Sequence, residues 1–337
     1  MDPEFVQIFS LFFNTVPIAV QTIESSLDDS DFRTTFLVET DAGVKAVLKL
    51  ADNDFTFPET IAVWQRTIEE YRKLGYDCPR ILTDRSGSFP TVSYRGRSCT
   101  AYAEEFSAYR TAADRACERT DQSLYETYKR DVWHMTAQIA AKHFDYTTYP
   151  SAYCLFETFC PSDKTDEVLD NALAWKEYAD TLPDAFKAQT ERIFRVWSEN
   201  RAALEPVYRT LPTSVFQADL NPTNILLDES GRFVGVCDFN LCGRDVFLNY
   251  LMRENYNGFD QELAMIRDAL KIVSADYRFS DAEKDAAAML YRRLKPLSFI
   301  SLDSLKECGT DPQAIQAVLD KTEHCLTADI DFRSYME

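Results

Sequence analysis

The stretch that most constrains this chain runs from Phe216 to Asn240. Asn224–Leu227 and Phe233–Cys237 are two short apolar segments, and the polar turn between them carries Gly231. Apolar runs of that length around a glycine turn predict a β-hairpin. Asp219, Asn224 and Asp238 fall at its open end: a carboxylate, an amide oxygen five residues later, and a second carboxylate fourteen after that. All three are hard oxygen donors of the kind that Mg²⁺ prefers, and Mg²⁺ commonly takes only one or two protein carboxylates beside substrate phosphates.

The spacing D-x-x-x-x-N … D-F resembles the catalytic loop and metal-binding segment of kinases. The fuller wording, Asp219-Leu220-Asn221-Pro222-Thr223-Asn224-Ile225-Leu226-Leu227-Asp228 and then Gly235-Val236-Cys237-Asp238-Phe239-Asn240, resembles the aminoglycoside phosphotransferase and choline kinase family more than the protein kinases. The resemblance implies that Asp219 is the base for the acceptor hydroxyl. It also implies that Asn224 and Asp238 hold Mg²⁺ on the phosphates of ATP or GTP. Members of that family place His two residues before the base; here the position is Gln217, whose amide both donates and accepts.

The flanking sequence fits two lobes. A chain of 337 residues, 45% hydrophobic, exceeds one average domain. Thr34–Glu39 and Lys45–Leu50 read as strands around a tight turn at Asp41-Ala42-Gly43, with Lys45, Val47 and Lys49 on one face and Ala46, Leu48 and Leu50 on the other. By resemblance Lys49 grips the nucleotide's α/β-phosphates, and its usual partner is a glutamate on the next helix. That helix is predicted from Pro58 to Leu74, where Glu59, Glu69 and Glu70 are candidates and counting back from Cys78-Pro79 lands near Gln65. The place of the phosphate-covering loop, Leu27–Arg33, holds no glycine and three aspartates, leaving Ser30 as its nucleotide-contacting residue. Cys99–Phe106 resembles the linker whose backbone reads adenine, through Ala103 and Glu105, with Tyr102 behind the base.

From 107 onward helical periodicity dominates: Tyr125–His143, Asp166–Asp180, Ala185–Arg209, Asp260–Ser274, a helix opened by the Ser280–Glu283 capping box, and Pro312–Glu323. The expected fold is therefore α+β, a bilobal protein-kinase-like architecture. Residues 1–102 form a small antiparallel-sheet lobe for the nucleotide, and 103–337 a larger helical lobe for catalysis and substrate.

Charge and cysteine usage narrow the partners. Lys+Arg 36 against Asp+Glu 55 leaves −19, which disfavours nucleic acid and anionic membrane. Nine scattered cysteines without a C-x-x-C fit reduced thiols in the cytoplasm. No apolar stretch is long enough to span a membrane, and the Phe5–Val20 run lacks the basic flank of a signal peptide. The expected acceptor is a small hydroxyl compound: an aminoglycoside, another amino sugar, choline or a related amino alcohol, or a neutral sugar. Asp245, Glu254 and Glu157 are candidates to meet an ammonium, and Tyr250 or Tyr256 to cover it. Asn249-Tyr250-Leu251 stands where many relatives carry Asp-Leu-Ala. A monomer or homodimer is expected. The other class of function compatible with Gln217 and the missing glycine loop is an inactive kinase-fold protein that binds a nucleotide or ligand without turnover.

Overall fold

A computed structural model describes residues 1–26, 30–118, 123–254 and 259–337. In chain order the elements begin with α1 (Pro3–Phe12), β1 (Pro17–Glu24), β2 (Phe32–Thr40), β3 (Lys45–Asp52), α2 (Pro58–Lys73), β4 (Ile81–Leu82), β5 (Thr91–Tyr94) and β6 (Arg97–Glu105). Next come β7 (Arg110–Thr111), α3 (Ala112–Glu118), α4 (Ser123–Ala140), α5 (Glu167–Ala179), α6 (Asp184–Tyr208) and β8 (Thr213–Phe216). The hairpin follows as β9 (Ile225–Leu227) and β10 (Phe233–Val236), then β11 (Gly243–Val246), α7 (Phe247–Glu254), α8 (Phe259–Val273), α9 (Asp281–Leu294), α10 (Phe299–Glu307) and α11 (Pro312–Thr327).

The chain divides into two compact units. The first comprises Met1–Lys129, Cys160–Ser162 and Asp219–Gly243; the second comprises Arg130–Phe159, Asp163–Ala218 and Arg244–Glu337. The boundary expected after Tyr102 falls inside β6, and the first unit takes in the β9–β10 hairpin as well as the N-terminal sheet.

The first unit is built on an antiparallel sheet in the order β1-β2-β3-β6-β4, with β5 paired to β6. Strand β3 shows why one run of residues serves two purposes. Ala46, Leu48 and Leu50 enter a core cluster with Phe36, Tyr94, Ala101 and Ala103, while Lys49 projects from the other face. Covering the cluster is α1, opened by the Asp2 carboxylate on the Glu4 N–H at 2.9 Å and by Pro3 in the first turn. Its Phe5, Ile8, Phe9 and Phe12 recur at helical spacing and are buried, each worth about 1.5–3 kcal/mol of transfer free energy. Helix α2 buries Ile61, Trp64, Ile68 and Tyr71 and ends before Gly75, whose φ of +94° is open to glycine without strain.

The segment after α2 is stitched to the hairpin. Asp77 N–H donates to Val234 O at 2.8 Å, and Val236 N–H donates to Asp77 O at 3.1 Å. Between those two bonds lies Gly235, where an added Cβ would stand 1.7 Å from Asp77 O. Strand β9 in turn pairs with both β10 and β7, and its three residues are buried.

The second unit is mainly helical, with β8 and β11 as a two-stranded ribbon. The capping box expected at Ser280 is formed, Ser280 Oγ accepting from Glu283 N–H and the Glu283 carboxylate accepting from Ser280 N–H. Trp197, 1% exposed, donates its indole N–H to Arg293 O at 3.0 Å and ties α6 to α9. Among the described residues no helix is long and apolar enough to cross a membrane.

Glycine at 235 is a backbone requirement, so Gly235→Ala is expected to cost about 2–4 kcal/mol in urea unfolding. Gly43→Asn is the control: Gly43 has φ +72° with open space around it, which Asn tolerates, so the loss there stays below about 1 kcal/mol.

Candidate active site

The loop from Asp219 to Asn224 is organised by amides around one carboxylate. Asn221 Nδ2 lies 3.1 Å from both oxygens of Asp219, and Asn224 Nδ2 donates to Asp219 Oδ2 at 3.1 Å and to its main-chain oxygen at 2.9 Å. Asn221 also uses its own Oδ1 to accept from Thr223 N–H at 2.9 Å, the local side-chain turn that an Asn-Pro sequence favours. With its NH₂ turned to Asp219, Asn224 has its Oδ1 directed the other way, where Thr223 Oγ lies 3.2 Å off. Asn224 is 5% exposed, and its carbonyl accepts from Cys237 N–H at 2.9 Å. That bond joins the two arms of the hairpin one residue before Asp238.

Asp238 adopts φ +56°, a left-handed conformation that costs a non-glycine residue about 1 kcal/mol or more. Its neighbour Phe239 is held by an edge-on contact with Tyr71 of α2 at 5.3 Å. The turned backbone delivers Asp238 Oδ1 to Lys49 Nζ at 3.0 Å.

Lys49 has a second anion. Glu104 Oε1 lies 3.1 Å from its ammonium. The β3–β6 register sets Lys49 opposite Tyr102 and Val47 opposite Glu104, so Glu104 is the diagonal cross-strand neighbour of Lys49 on the same face. None of the helix glutamates takes that place. Glu69 pairs with Arg80, Glu70 pairs with Lys73, and Glu59 is exposed in the first turn of α2. Gln65 donates to Ile81 O at 2.9 Å and so secures β4. The strand position of Glu104 was visible in the Tyr102–Glu104 alternation, but only the register turns that alternation into a contact.

Burial alone would lower the Lys49 pKa; Asp238 and then Glu104 outweigh it and hold the ammonium well above its ordinary range. Burial lifts the Glu104 carboxyl above its ordinary range, with Lys49 opposing and Asp238 adding. One cation between two carboxylates leaves a formal charge of −1. The cluster therefore suits a further cation, and its oxygen donors are of the hard type.

Within the first unit Asp219 is thus bonded to Asn224 and Lys49 to Asp238, and the Cys237 N–H to Asn224 O bond links the backbone segments that carry the two pairs. The other expected nucleotide contacts are placed differently. Ala103 is buried in the middle of β6, opposite Leu48 on one side and Leu82 on the other, so the sheet takes its backbone groups. Glu105 N–H donates to Arg80 O at 2.9 Å, which spends the donor that adenine would need. The chain leaves the ladder only beyond Glu105. Ser30 is exposed in the turn before β2, and Leu27–Asp29 lie outside the described residues.

The residues expected to meet an ammonium are engaged. Asp245 is 1% exposed and accepts from Ser151 Oγ at 2.7 Å, Tyr208 OH at 2.9 Å, Val246 N–H at 2.7 Å and Asn249 Nδ2 at 3.1 Å. It is a structural carboxylate at the start of α7. Glu157 is bound by both oxygens to Arg244 at 2.7 and 2.6 Å, and Glu254 pairs with Arg253 at 2.5 Å. Tyr250 is 2% exposed and packs against Phe216 and Phe247, whereas Tyr256 lies outside the described residues.

An antiparallel sheet carrying a paired lysine, with a D-x-x-x-x-N loop and a second aspartate at a hairpin mouth, defines the kinase-like class of phosphotransferases. The chain belongs to the phosphotransferase enzyme family, whose model matches residues 23–249. Solved structures share the fold at low identity. A microcompartment-associated aminopropanol kinase is similar with TM-score 0.56 and 15% identity, over 96% of this chain and 94% of its own. An amicoumacin kinase in complex with AMP-PNP, Ca²⁺ and Ami gives 0.55 and 14%, over 99% and 97%. The ADP-bound aminoglycoside phosphotransferase APH(2'')-Ib gives 0.51 and 15%, over 97% and 99%. No curated protein matches the chain.

The Lys49–Glu104 pair is expected to show in a double-mutant cycle. Lys49→Met leaves Glu104, 8% exposed, without its cation and should cost about 3 kcal/mol in chemical denaturation. Adding Glu104→Gln should return part of that loss, with a coupling of about 1–3 kcal/mol. A coupling near zero would show that the two side chains do not interact in solution.

Proposed function

We propose that this phosphotransferase moves the γ-phosphoryl group of ATP or GTP to a hydroxyl on a small molecule. The observation that carries the reading is the joined cluster: Asn224 bonded to Asp219, and Asp238 bonded to Lys49. Transfer of a phosphoryl group asks for positioning and charge neutralisation more than for covalent help. Lys49 supplies a fixed positive charge to the α/β-phosphates, and Glu104 and Asp238 keep its long side chain extended in one direction. Asn224 and Asp238 would hold Mg²⁺, which when bound screens the nucleotide's phosphate charge. The fit rests on two hard oxygen donors and on the net negative charge beside Lys49.

Asp219 acts on the acceptor. Its carboxylate orients the hydroxyl and accepts its proton as the oxygen attacks phosphorus. The Asn221 and Asn224 amides fix the orientation of that carboxylate. Gln217 replaces the histidine of relatives with another group that donates and accepts, which is compatible with turnover.

For the acceptor, an amino alcohol or amino sugar is the class we favour. The net charge of −19 and the fold shared with an aminopropanol kinase and an aminoglycoside phosphotransferase support it.

The test is a coupled ATP and GTP turnover assay with Mg²⁺ across amino alcohols, amino sugars and neutral sugars. Asp219→Asn is expected to lower kcat by about 10²–10⁴ while nucleotide binding persists. Asp238→Ala should abolish the Mg²⁺-dependent thermal shift by nucleotide. A wild-type protein that binds no nucleotide with Mg²⁺ ends the proposal, and full turnover by Asp219→Asn ends the assignment of the base.

A further inference from the structure

Arg253, near the end of α7, sits at a junction that the reading above does not use. Its Nη2 donates to Ala218 O at 2.7 Å, and Ala218 immediately precedes Asp219. The guanidinium carbon stands 3.3 Å from the centre of the Tyr153 ring, a face-on stack. The main chain that carries that ring is itself held, because Asn249 Nδ2 donates to the Tyr153 main-chain O at 2.9 Å and also to Asp245 Oδ1. At the main chain, Arg253 O accepts from Lys295 Nζ, whose residue is 6% exposed, at 3.3 Å. Helix α7 is thus fixed at its start by Asp245 and at its end by Lys295, and Arg253 is oriented by an aromatic face and by Glu254 at 2.5 Å.

The carbonyl of Ala218 and the N–H of Asp219 belong to one rigid peptide plane. A bond that fixes the carbonyl direction therefore fixes the plane from which Asp219 departs. Ala218 is 1% exposed, so water has little access to substitute for the guanidinium. A reacting group displaced by about 1 Å can lose about a hundredfold in rate, so the direction of one buried carbonyl can control the base. Arginine suits the task because its planar fork stacks and donates at once, which a lysine ammonium does not.

We propose that Arg253 is the positioning residue of this enzyme, a strut from α7 that fixes the peptide plane ahead of Asp219. The inference rests on the assignment of Asp219 as the base in the proposed reaction. Arg253 touches neither nucleotide nor acceptor in this role; it acts through Ala218.

Three variants at position 253 test it. Arg253→Ala is expected to lower kcat by about ten- to a hundredfold, with the nucleotide KM within about twofold of wild type and the Mg-nucleotide thermal shift kept. Arg253→Lys should recover only part of the loss, while Arg253→Gln, which still donates, should recover a comparable part. The side chain is 23% exposed, so millimolar guanidinium should raise kcat of Arg253→Ala and leave wild type unchanged. Amide exchange of the segment containing Asp219 should quicken at least tenfold in Arg253→Ala, with the β2–β3 segment unchanged. Unaltered kcat in Arg253→Ala, or a loss that falls equally on nucleotide binding, overturns the strut. If wild type turns over no acceptor, the proposed reaction has failed, and unaltered exchange at Asp219 then overturns the strut independently.

Discussion

A lysine ammonium between two carboxylates governs the first unit. Lys49 reaches Glu104 at 3.1 Å along the sheet and Asp238 at 3.0 Å across to the hairpin. Separated, each of these charges would be left partly buried at a cost of several kcal/mol, so the sheet and the hairpin are each completed electrostatically by the other. The geometry is enforced from behind by backbone contacts. Asp77 bonds to β10 on either side of Gly235, and Cys237 N–H binds Asn224 O, so neither arm of the hairpin can shift alone. Side-chain charge chooses the partner; main-chain hydrogen bonds fix its distance.

The same division separates what the amino-acid sequence reveals from what it conceals. The hairpin, Gly231 and the Asp219–Asn224–Asp238 spacing are local, and turn chemistry makes them readable. So are the α2 stripe and the Ser280 box, since cap and periodicity lie within a few residues of one another. Helix α1 carried equally local signals, Asp2 before Pro3 and apolar residues at 5, 8, 9 and 12. They were submerged in a longer apolar run that continues into β1. That strand is mostly exposed along its length and so lacks the alternation by which a half-buried strand is recognised.

The partner of Lys49 is of a different kind. Glu104 and Lys49 are 55 residues apart, and only the β3–β6 register makes them diagonal neighbours. A helix glutamate and a strand glutamate are equal candidates until that register is known. The carboxylates at 157, 245 and 254 show the converse. In the sequence they look like ligands for a cation, but their environments differ completely. Asp245 is enclosed by four donors, and the other two are matched by arginines. Residue type announces the capacity to bind a cation; burial and pairing decide whether that capacity is already spent.

Pairing also shows how one acidic chain can hold its carboxylates in two different ways. At Lys49 two carboxylates surround one ammonium, so charge itself fixes the side chains. At Asp219 the Asn221 and Asn224 amides orient the carboxylate through their dipoles. Amide donors beside Asp219 and an ammonium beside Asp238 are therefore two ways of holding a carboxylate in place, one through dipoles and the other through charge.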